Sequence, residues 1–181
     1  MKGIPQLRML LKDFSKLDFQ VNLPANFTVR TYQLGDEEAW CLIISESFGE
    51  KFTLEKWQKC IIEKEGFKPE RVFFIFDDKG EPCSTASAMR INGDQHGYLH
   101  YVGTRPKFAG KGLGYYITSL ATASFKEEGC IDAILDTDAH RIFAIKIYLK
   151  LGYRPLILHE KHYEIWEDIK KAIGMEFEIY N

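Results

Sequence analysis

One stretch of this 181-residue chain restricts its fold more than any other: His96 to Leu120, HGYLHYVGTRPKFAGKGLGYYITSL. Tyr98 to Thr104 reads as a strand. A turn built on Gly110, Gly112 and Gly114 follows. A helix then opens, with Leu113, Ile117, Leu120 and Ala121 at i, i+4, i+7 and i+8, the stripe of a helix packed on a sheet. A strand, a glycine-rich turn and a helix start suit a pyrophosphate. The first N–H groups of a helix lack internal partners, and the helix dipole places partial positive charge there. Glycines let that backbone approach an anion closely, and Lys111 adds a cation. The plain alternative is an ordinary helix start. Three alternating glycines beside a lysine and after Pro106 weigh against it. Two better-known phosphate loops do not fit. A Walker loop needs Gly-Lys-Ser/Thr, whereas Gly110-Lys111 is followed by Gly112. The glycine spacing of a dinucleotide fingerprint is absent as well.

The run from Val102 to Gly114 resembles the acetyl-CoA-binding motif of the GNAT superfamily of N-acetyltransferases, Gln/Arg-x-x-Gly-x-Gly/Ala. Gly112 and Gly114 match its glycines, and Ala109 stands where Gln or Arg is usual. A second block, Ala144-x-x-x-Tyr148-x-x-x-Gly152-Tyr153, is similar to that family's Asn-x-x-Ala-x-x-x-Tyr-x-x-x-Gly-Phe, with Arg141 at the Asn position. The two blocks occur in the family's order. The resemblance covers roughly Phe27 to Leu158. Arg141 to Tyr153 is also similar to the acetyltransferase domains of mycothiol-synthase-like proteins, a likeness that does not fix a substrate.

The resemblance implies an α/β fold: a central, mostly antiparallel sheet with a splayed parallel strand pair and helices on both faces. It implies acetyl-CoA, and its product coenzyme A, as co-substrate. Strands 98–104 and 131–135 would diverge, with the pantetheine arm in the gap. The backbone of Val102, Gly103 and Thr104 would bond that arm like a missing strand, and one of their N–H groups would serve the oxyanion. The amides of Gly110, Lys111, Gly112, Leu113 and Gly114, with Tyr115, would hold the pyrophosphate. Ala109, Arg141, Ala144 and Tyr148 would complete the cofactor contacts. Tyr148 falls on the family's general-acid tyrosine. A phenol with pKa about 10 is protonated at neutral pH and can donate to a thiolate. From its helix alone, Tyr148 reads equally as a core residue. Tyr98 stands where many members place a Glu base. His100 shares its strand face and is a candidate base or water relay. The plain alternative is a structural histidine. The implied activity is transfer of an acetyl group to the primary amine of a small acceptor, by direct attack in a ternary complex. A non-catalytic acyl-CoA-binding module and transfer to a hydroxyl stay open.

Composition narrows the classes. The length suits one domain, divided as extension 1–26, core 27–160, and helix and tail 161–181. A net charge of −2 gives no global attraction to nucleic acid or anionic membrane. No apolar run approaches the ~18 residues of a membrane span. The first residues lack the apolar core of a signal peptide. Cys41, Cys60, Cys83 and Cys130 form no Cys-x-x-Cys pair, so zinc is not expected and they read as small hydrophobes in a reducing cytoplasm. The oligomeric expectation is monomer or homodimer.

Along the chain, Leu7, Leu10, Leu11, Phe14 and Leu17 share a helical face, while Arg8 to Leu11 equally suits an added strand; Pro5 and Pro24 bracket the segment. Strands are expected at Phe27–Tyr32, Arg71–Phe76, Glu81–Ile91, His96–Thr104, Ile131–Leu135 and Arg154–His159. Turns fall at Asp77–Gly80 and Asn92–Asp94. Helices are expected after Gly35, with Trp40, Ile43, Ile44, Ser47 and Phe48 inward. Others follow Thr53, with Trp57, Cys60 and Ile61 inward, and at Arg141–Leu151. A last helix, Tyr163–Ile173, covers an edge or a dimer contact. Phe48, Phe52 and Trp57 are either pocket lining or core. The loops at Gly49–Thr53 and Asp94–Gly97 would choose the acceptor. His159 and His162 read as a surface pair, not a metal site. Asp136 and Asp138 read as turn and cap residues before a Mg²⁺ site.

Overall fold

The computed structural model describes residues 6–15, 17, 22–93 and 95–181. The expectations for the first five residues and for Asp94 lie outside them. The elements in chain order are β1 (Leu7–Leu11), β2 (Phe27–Thr31), α1 (Glu37–Phe48), α2 (Leu54–Trp57), β3 (Val72–Asp77), β4 (Pro82–Ile91), β5 (His96–Thr104), α3 (Leu113–Glu127), β6 (Asp132–Thr137), α4 (Ile142–Lys150), β7 (Arg154–Leu156) and α5 (Lys161–Ile173). The strands form one sheet of order β2-β3-β4-β5-β6-β1-β7. Every pairing is antiparallel except β5 with β6.

Local chemistry sets the boundaries. Glu37 and Glu38 occupy the first turn of α1, where the helix dipole favours carboxylates, and Gly49 ends it in the left-handed conformation. The Thr53 hydroxyl accepts from the Lys56 N–H at 3.4 Å and starts α2, which runs on into a π turn at Gln58–Ile62. In the β3–β4 turn, Asp77 Oδ1 accepts from the N–H groups of Lys79 and Glu81 at 3.0 and 2.8 Å.

The first described segment resolves the alternative left by its sequence. It is a strand, not a helix. β1 lies inside the sheet, antiparallel to both β6 and β7. Its alternation decides this: Leu7, Met9 and Leu11 are buried while Arg8 and Leu10 are half-buried, the period of two that one packed face requires. Two further bounds differ from the sequence reading. β6 continues through Asp136 and Thr137, because β1 pairs with it up to Leu7–Thr137. β7 stops at Leu156, where Tyr180 bridges it and the Ile157 N–H donates to the Tyr180 carbonyl at 2.9 Å.

Helices cover the two faces unequally. α1 and α2 pack Trp40, Ile43, Ile44 and Trp57 on Val72, Phe74 and Met89. On the other face α3, α4 and α5 bury Ile117, Phe125, Ile145, Leu149, Trp166 and Ile169 against Met9, Leu99, Ala133 and Leu135. Phe52 and Trp57 thus belong to the core. No helix among the described residues is long and apolar enough to cross a membrane.

The sheet opens in its middle. Parallel pairing runs from His96–Asp132 to Leu99–Leu135 and stops, although β5 continues to Thr104 and β6 to Thr137. A bulge accompanies the parting. Thr85 pairs with Gly103 and Ser87 with His100, so Tyr101 and Val102 together oppose Ala86, and Tyr101 takes a φ of 45°. The far end of β5 stays with β4, the far end of β6 stays with β1, and a wedge is left between them.

Candidate active site

The wedge leads into a cleft of about 1030 Å³. One wall is the freed edge of β5 at Val102, Gly103 and Thr104. Its end wall is the turn and first residues of α3: Ala109, Gly110, Gly112, Leu113, Gly114 and Tyr115. α4 supplies Arg141, Ala144 and Lys146 among others, and the end of α1 supplies Ser47, Phe48 and Glu50. Of the residues expected to hold the cofactor, Lys111 does not line this cleft, and Tyr148 lines a second space behind it.

The turn leaves main-chain donors open to the cleft. Gly112 is the N-cap of α3 with φ 79°, a conformation that disfavours any side chain, and a Cβ added there would point into open space. No side chain caps α3 and no acid sits in its first turn, so its leading N–H groups stay available at the cleft wall. Gly114 allows a close approach: a Cβ there would lie 3.2 Å from Thr104 Oγ1 and 3.5 Å from Ile147 Cδ1. Arg105 locks the preceding corner. Its guanidinium, 6 % exposed, bonds both carboxylate oxygens of Glu46 at 3.0 and 2.8 Å and Glu81 at 2.8 Å. α4 also begins at the cleft without a side-chain cap. Two uncapped helix starts, an open glycine cradle and a strand edge without a neighbour fit a pyrophosphate followed by an amide-bearing arm. Lys146 and Lys150 line the cleft too. The sequence signal for them was the polar i, i+4 stripe on an otherwise apolar helix.

Behind the cleft lies a smaller space of about 150 Å³, and Phe48, Val102, Asp138 and Arg141 line both. Here the structure gathers the three residues expected to carry chemistry. Tyr148 is 5 % exposed, and its hydroxyl has no hydrogen-bond partner among the described residues; burial pushes its pKa up to about 12, while the Arg141 charge opposes the rise. Tyr98 donates its hydroxyl to Asp136 Oδ2 at 3.3 Å, and burial and the Asp136 charge push its pKa to about 12. The His100 ring lies 4.9 Å from that of Tyr98 and 4.5 Å from that of Tyr101. Its Nε2 is 3.0 Å from the Cys60 carbonyl. A carbonyl only accepts, so Nε2 carries the proton. Burial lowers the His100 pKa to about 4, despite that carbonyl. The ring is therefore neutral at pH 7.

The sequence reading missed what β1 brings. Arg8 grips Asp136 with two bonds, Nε to Oδ1 at 2.8 Å and a terminal nitrogen to Oδ2 at 2.9 Å. Gln6 donates to Asp138 Oδ1 at 3.0 Å. Asp136 is therefore a strand residue holding an ion pair, not a turn residue. Asp138 follows the strand, and its carbonyl accepts from the Arg141 N–H at 3.0 Å, the turn role expected of it. The clue was a lone arginine between apolar neighbours, Leu7-Arg8-Met9. Arg141 fills the Asn position of the motif differently from an Asn. It donates to the Val102 carbonyl at 3.2 Å, on the very edge where the arm was expected, and its guanidinium lies 3.8 Å over the Phe48 ring. His159 and His162 are not the surface pair expected: their rings lie 6.0 Å apart, but His162 is fully buried.

A sheet that parts beside an uncapped helix start thus places a free strand edge and open main-chain donors around one cleft. Residues 33–153 match the model of the acetyltransferase (GNAT) family, and the chain belongs to that family of acyltransferases, whose co-substrate is acetyl-CoA. Among curated relatives, a mycothiol acetyltransferase from Streptomyces scabiei is 30% identical over 160 residues, covering 84% of this chain and 50% of the relative. One from Kocuria rhizophila is 25% identical over 169 residues, covering 84% and 54%. The chain thus spans about half the length of the curated relatives it matches. A GCN5-related N-acetyltransferase from Sphaerobacter thermophilus shares the fold with a TM-score of 0.69 at 23% identity, over 84% of this chain and 49% of that one. One from Kribbella flavida does so with a TM-score of 0.59 at 23% identity, over 84% and 55%.

Proposed function

We propose that this protein is an N-acetyltransferase that moves the acetyl group of acetyl-CoA onto the primary amine of a small acceptor, by direct attack in a ternary complex. The observation that carries this reading is the end of β5–β6 pairing at Leu99–Leu135. It frees a strand edge along a cleft that adjoins a small pocket lined by Tyr148, whose hydroxyl has no hydrogen-bond partner among the described residues.

When bound, acetyl-CoA supplies an activated acyl group and a thiolate leaving group. The chain's residues do the rest. The amides of Gly112, Leu113 and Gly114 hold the pyrophosphate, with Ala109, Gly110 and Tyr115 shaping its seat and Lys111 adding long-range charge. Lys146 and Lys150 face the nucleotide end. Val102, Gly103 and Thr104 present main-chain groups to the arm, Ala144 supports it from α4, and an N–H of this edge steadies negative charge on the acyl oxygen. Tyr148 donates its hydroxyl toward the departing sulfur. His100, neutral and committed at Nε2 to a carbonyl, and Tyr98, committed to Asp136, shape the acceptor side. Asp138, at the junction of the two spaces, holds the incoming ammonium and passes its proton to water.

A coenzyme A titration by calorimetry, with thiol release from acetyl-CoA across a panel of amines, tests the reading. Micromolar binding and amine-dependent thiol release are expected. Absence of binding would refute it. Binding without release for any amine would leave the non-catalytic acyl-CoA-binding module as the better account.

A further inference from the structure

The charges around the small space are segregated. Asp136 and Asp138 reach it from the end of β6, and Arg141 reaches it from the start of α4. Arg8 neutralises Asp136 by its two bonds, and Gln6 serves Asp138. Arg141 is treated differently. Among the described residues its side chain has one hydrogen bond, to a carbonyl, one aromatic face beneath it, and no carboxylate within ion-pair distance. A cation at the positive end of a helix is disfavoured unless an anion joins it. A guanidinium has five N–H donors in a planar fork that matches a carboxylate. Tyr148 also lines the space, and its hydroxyl has no hydrogen-bond partner among the described residues. Arg8 pairs with Asp136 without lining the space itself, so the charges left facing it are one of each sign, Asp138 and Arg141, and a simple cation would meet Arg141 uncompensated. A dipolar molecule would match both ends.

We infer that the acceptor is a small zwitterion: a primary amine with a carboxylate a few bonds away, its carboxylate on Arg141 and its ammonium toward Asp138. This rests on the acetyl-transfer reading above and narrows its substrate class. Size agrees. A space of about 150 Å³ is about 7 Å across if round, enough for the head of an amino acid while its side chain extends outward. In this arrangement Arg141 fixes the amine opposite the acyl position. It serves as a specificity residue through a direct contact with substrate.

The test uses matched sets: L-alanine, L-methionine and L-phenylalanine, their amides, and the amines left when the carboxylate is removed. Each is assayed with acetyl-CoA for thiol release, and its binding is measured calorimetrically with coenzyme A present. The carboxylate-bearing member is expected to exceed its partners at least 30-fold in kcat/KM. Arg141→Gln is expected to shrink that ratio to threefold or less, and Arg141→Lys to keep part of it. Thermal melts check that both variants fold. A ratio near one in the parent protein, or a ratio that survives Arg141→Gln, overturns the inference while acetyl transfer stands. Amino acids that bind in an Arg141-dependent way without thiol release support the dipolar slot and refute acetyl transfer. Absence of both amino-acid binding and amino-acid turnover overturns the inference.

Discussion

Replacing Tyr148 with phenylalanine separates activity from stability. The residue is 5 % exposed, its hydroxyl has no hydrogen-bond partner among the described residues, and its pKa is pushed up to about 12. A thiol of the cysteine kind has a pKa near 8.5, so complete proton transfer from this phenol would run uphill by about 3.5 pK units, or about 5 kcal/mol. Tyr148 therefore acts chiefly by donating a hydrogen bond to growing negative charge on sulfur, an interaction of about 1.5–3 kcal/mol. Tyr148→Phe should lower kcat by about 10- to 150-fold with a small change in KM for acetyl-CoA. The same change removes a hydroxyl that bonds no group among the described residues, so stability should hold within about 1 kcal/mol, or about 2–4 °C in Tm for a chain of this size. Thiol release and a thermal melt read the two effects. An unchanged kcat would remove the role given to Tyr148. A Tm lowered by several degrees would show that the hydroxyl has a structural partner. A loss beyond 10,000-fold with an alkaline limb near pH 8–9 would mean that the phenol transfers its proton outright, against the argument from its raised pKa.

Three other outcomes follow from the structure. Gly112→Ala places a Cβ on a left-handed residue beside the pyrophosphate seat, and should weaken coenzyme A binding about tenfold while costing about 1 kcal/mol of stability; calorimetric affinity within twofold of the parent would remove the cradle role. His100 has its folded pKa lowered to about 4 from an ordinary 6.5, so the unfolded chain binds more protons between those values. Its contribution is whole above about pH 6.5 and fades as pH falls toward 4, by an amount of order 3 kcal/mol; melts at several pH values should show a shallower acid slope for His100→Asn, and an identical slope would refute this. Glu128 pairs with Arg71 and Arg90, which are 2% and 0% exposed. Glu128→Gln should cost about 3 kcal/mol, measured by urea unfolding, and a cost under about 0.5 kcal/mol would show the arginines content with their carbonyl partners.

Much of the fold could be read in advance because its signals are local. The glycine turn, the 3.6-residue stripe of α3 and the Asp-rich hairpin each announce themselves within a few residues. The cofactor wall was legible for the same reason: Gly110 to Tyr115 is one continuous stretch. The acceptor side was not. Its parts, Gln6, Arg8, Tyr98, Asp138 and Arg141, come from three separated segments, and only the register of β1 on β6 brings Arg8 to Asp136. The segment around Arg8 also carried a helical stripe of leucines, and pairing across more than a hundred residues overrode that local preference. For His100 the strand face left two readings, a base or water relay and a structural histidine; the carbonyl that bonds Nε2 belongs to a π turn that the sequence did not reveal.

The placement of β1 has a consequence for synthesis. On a ribosome it emerges ahead of the sheet's other strands, yet both its neighbours, β6 and β7, come last among them. Until they appear, Leu7, Met9 and Leu11 have no groove to enter, and once they appear, two unsatisfied backbone edges wait for the same five residues. Closing that gap is the slow, long-loop event of maturation. A chain stalled just before it would be a sticky half-sheet, and one whose leading strand arrives late could borrow the strand of another molecule instead.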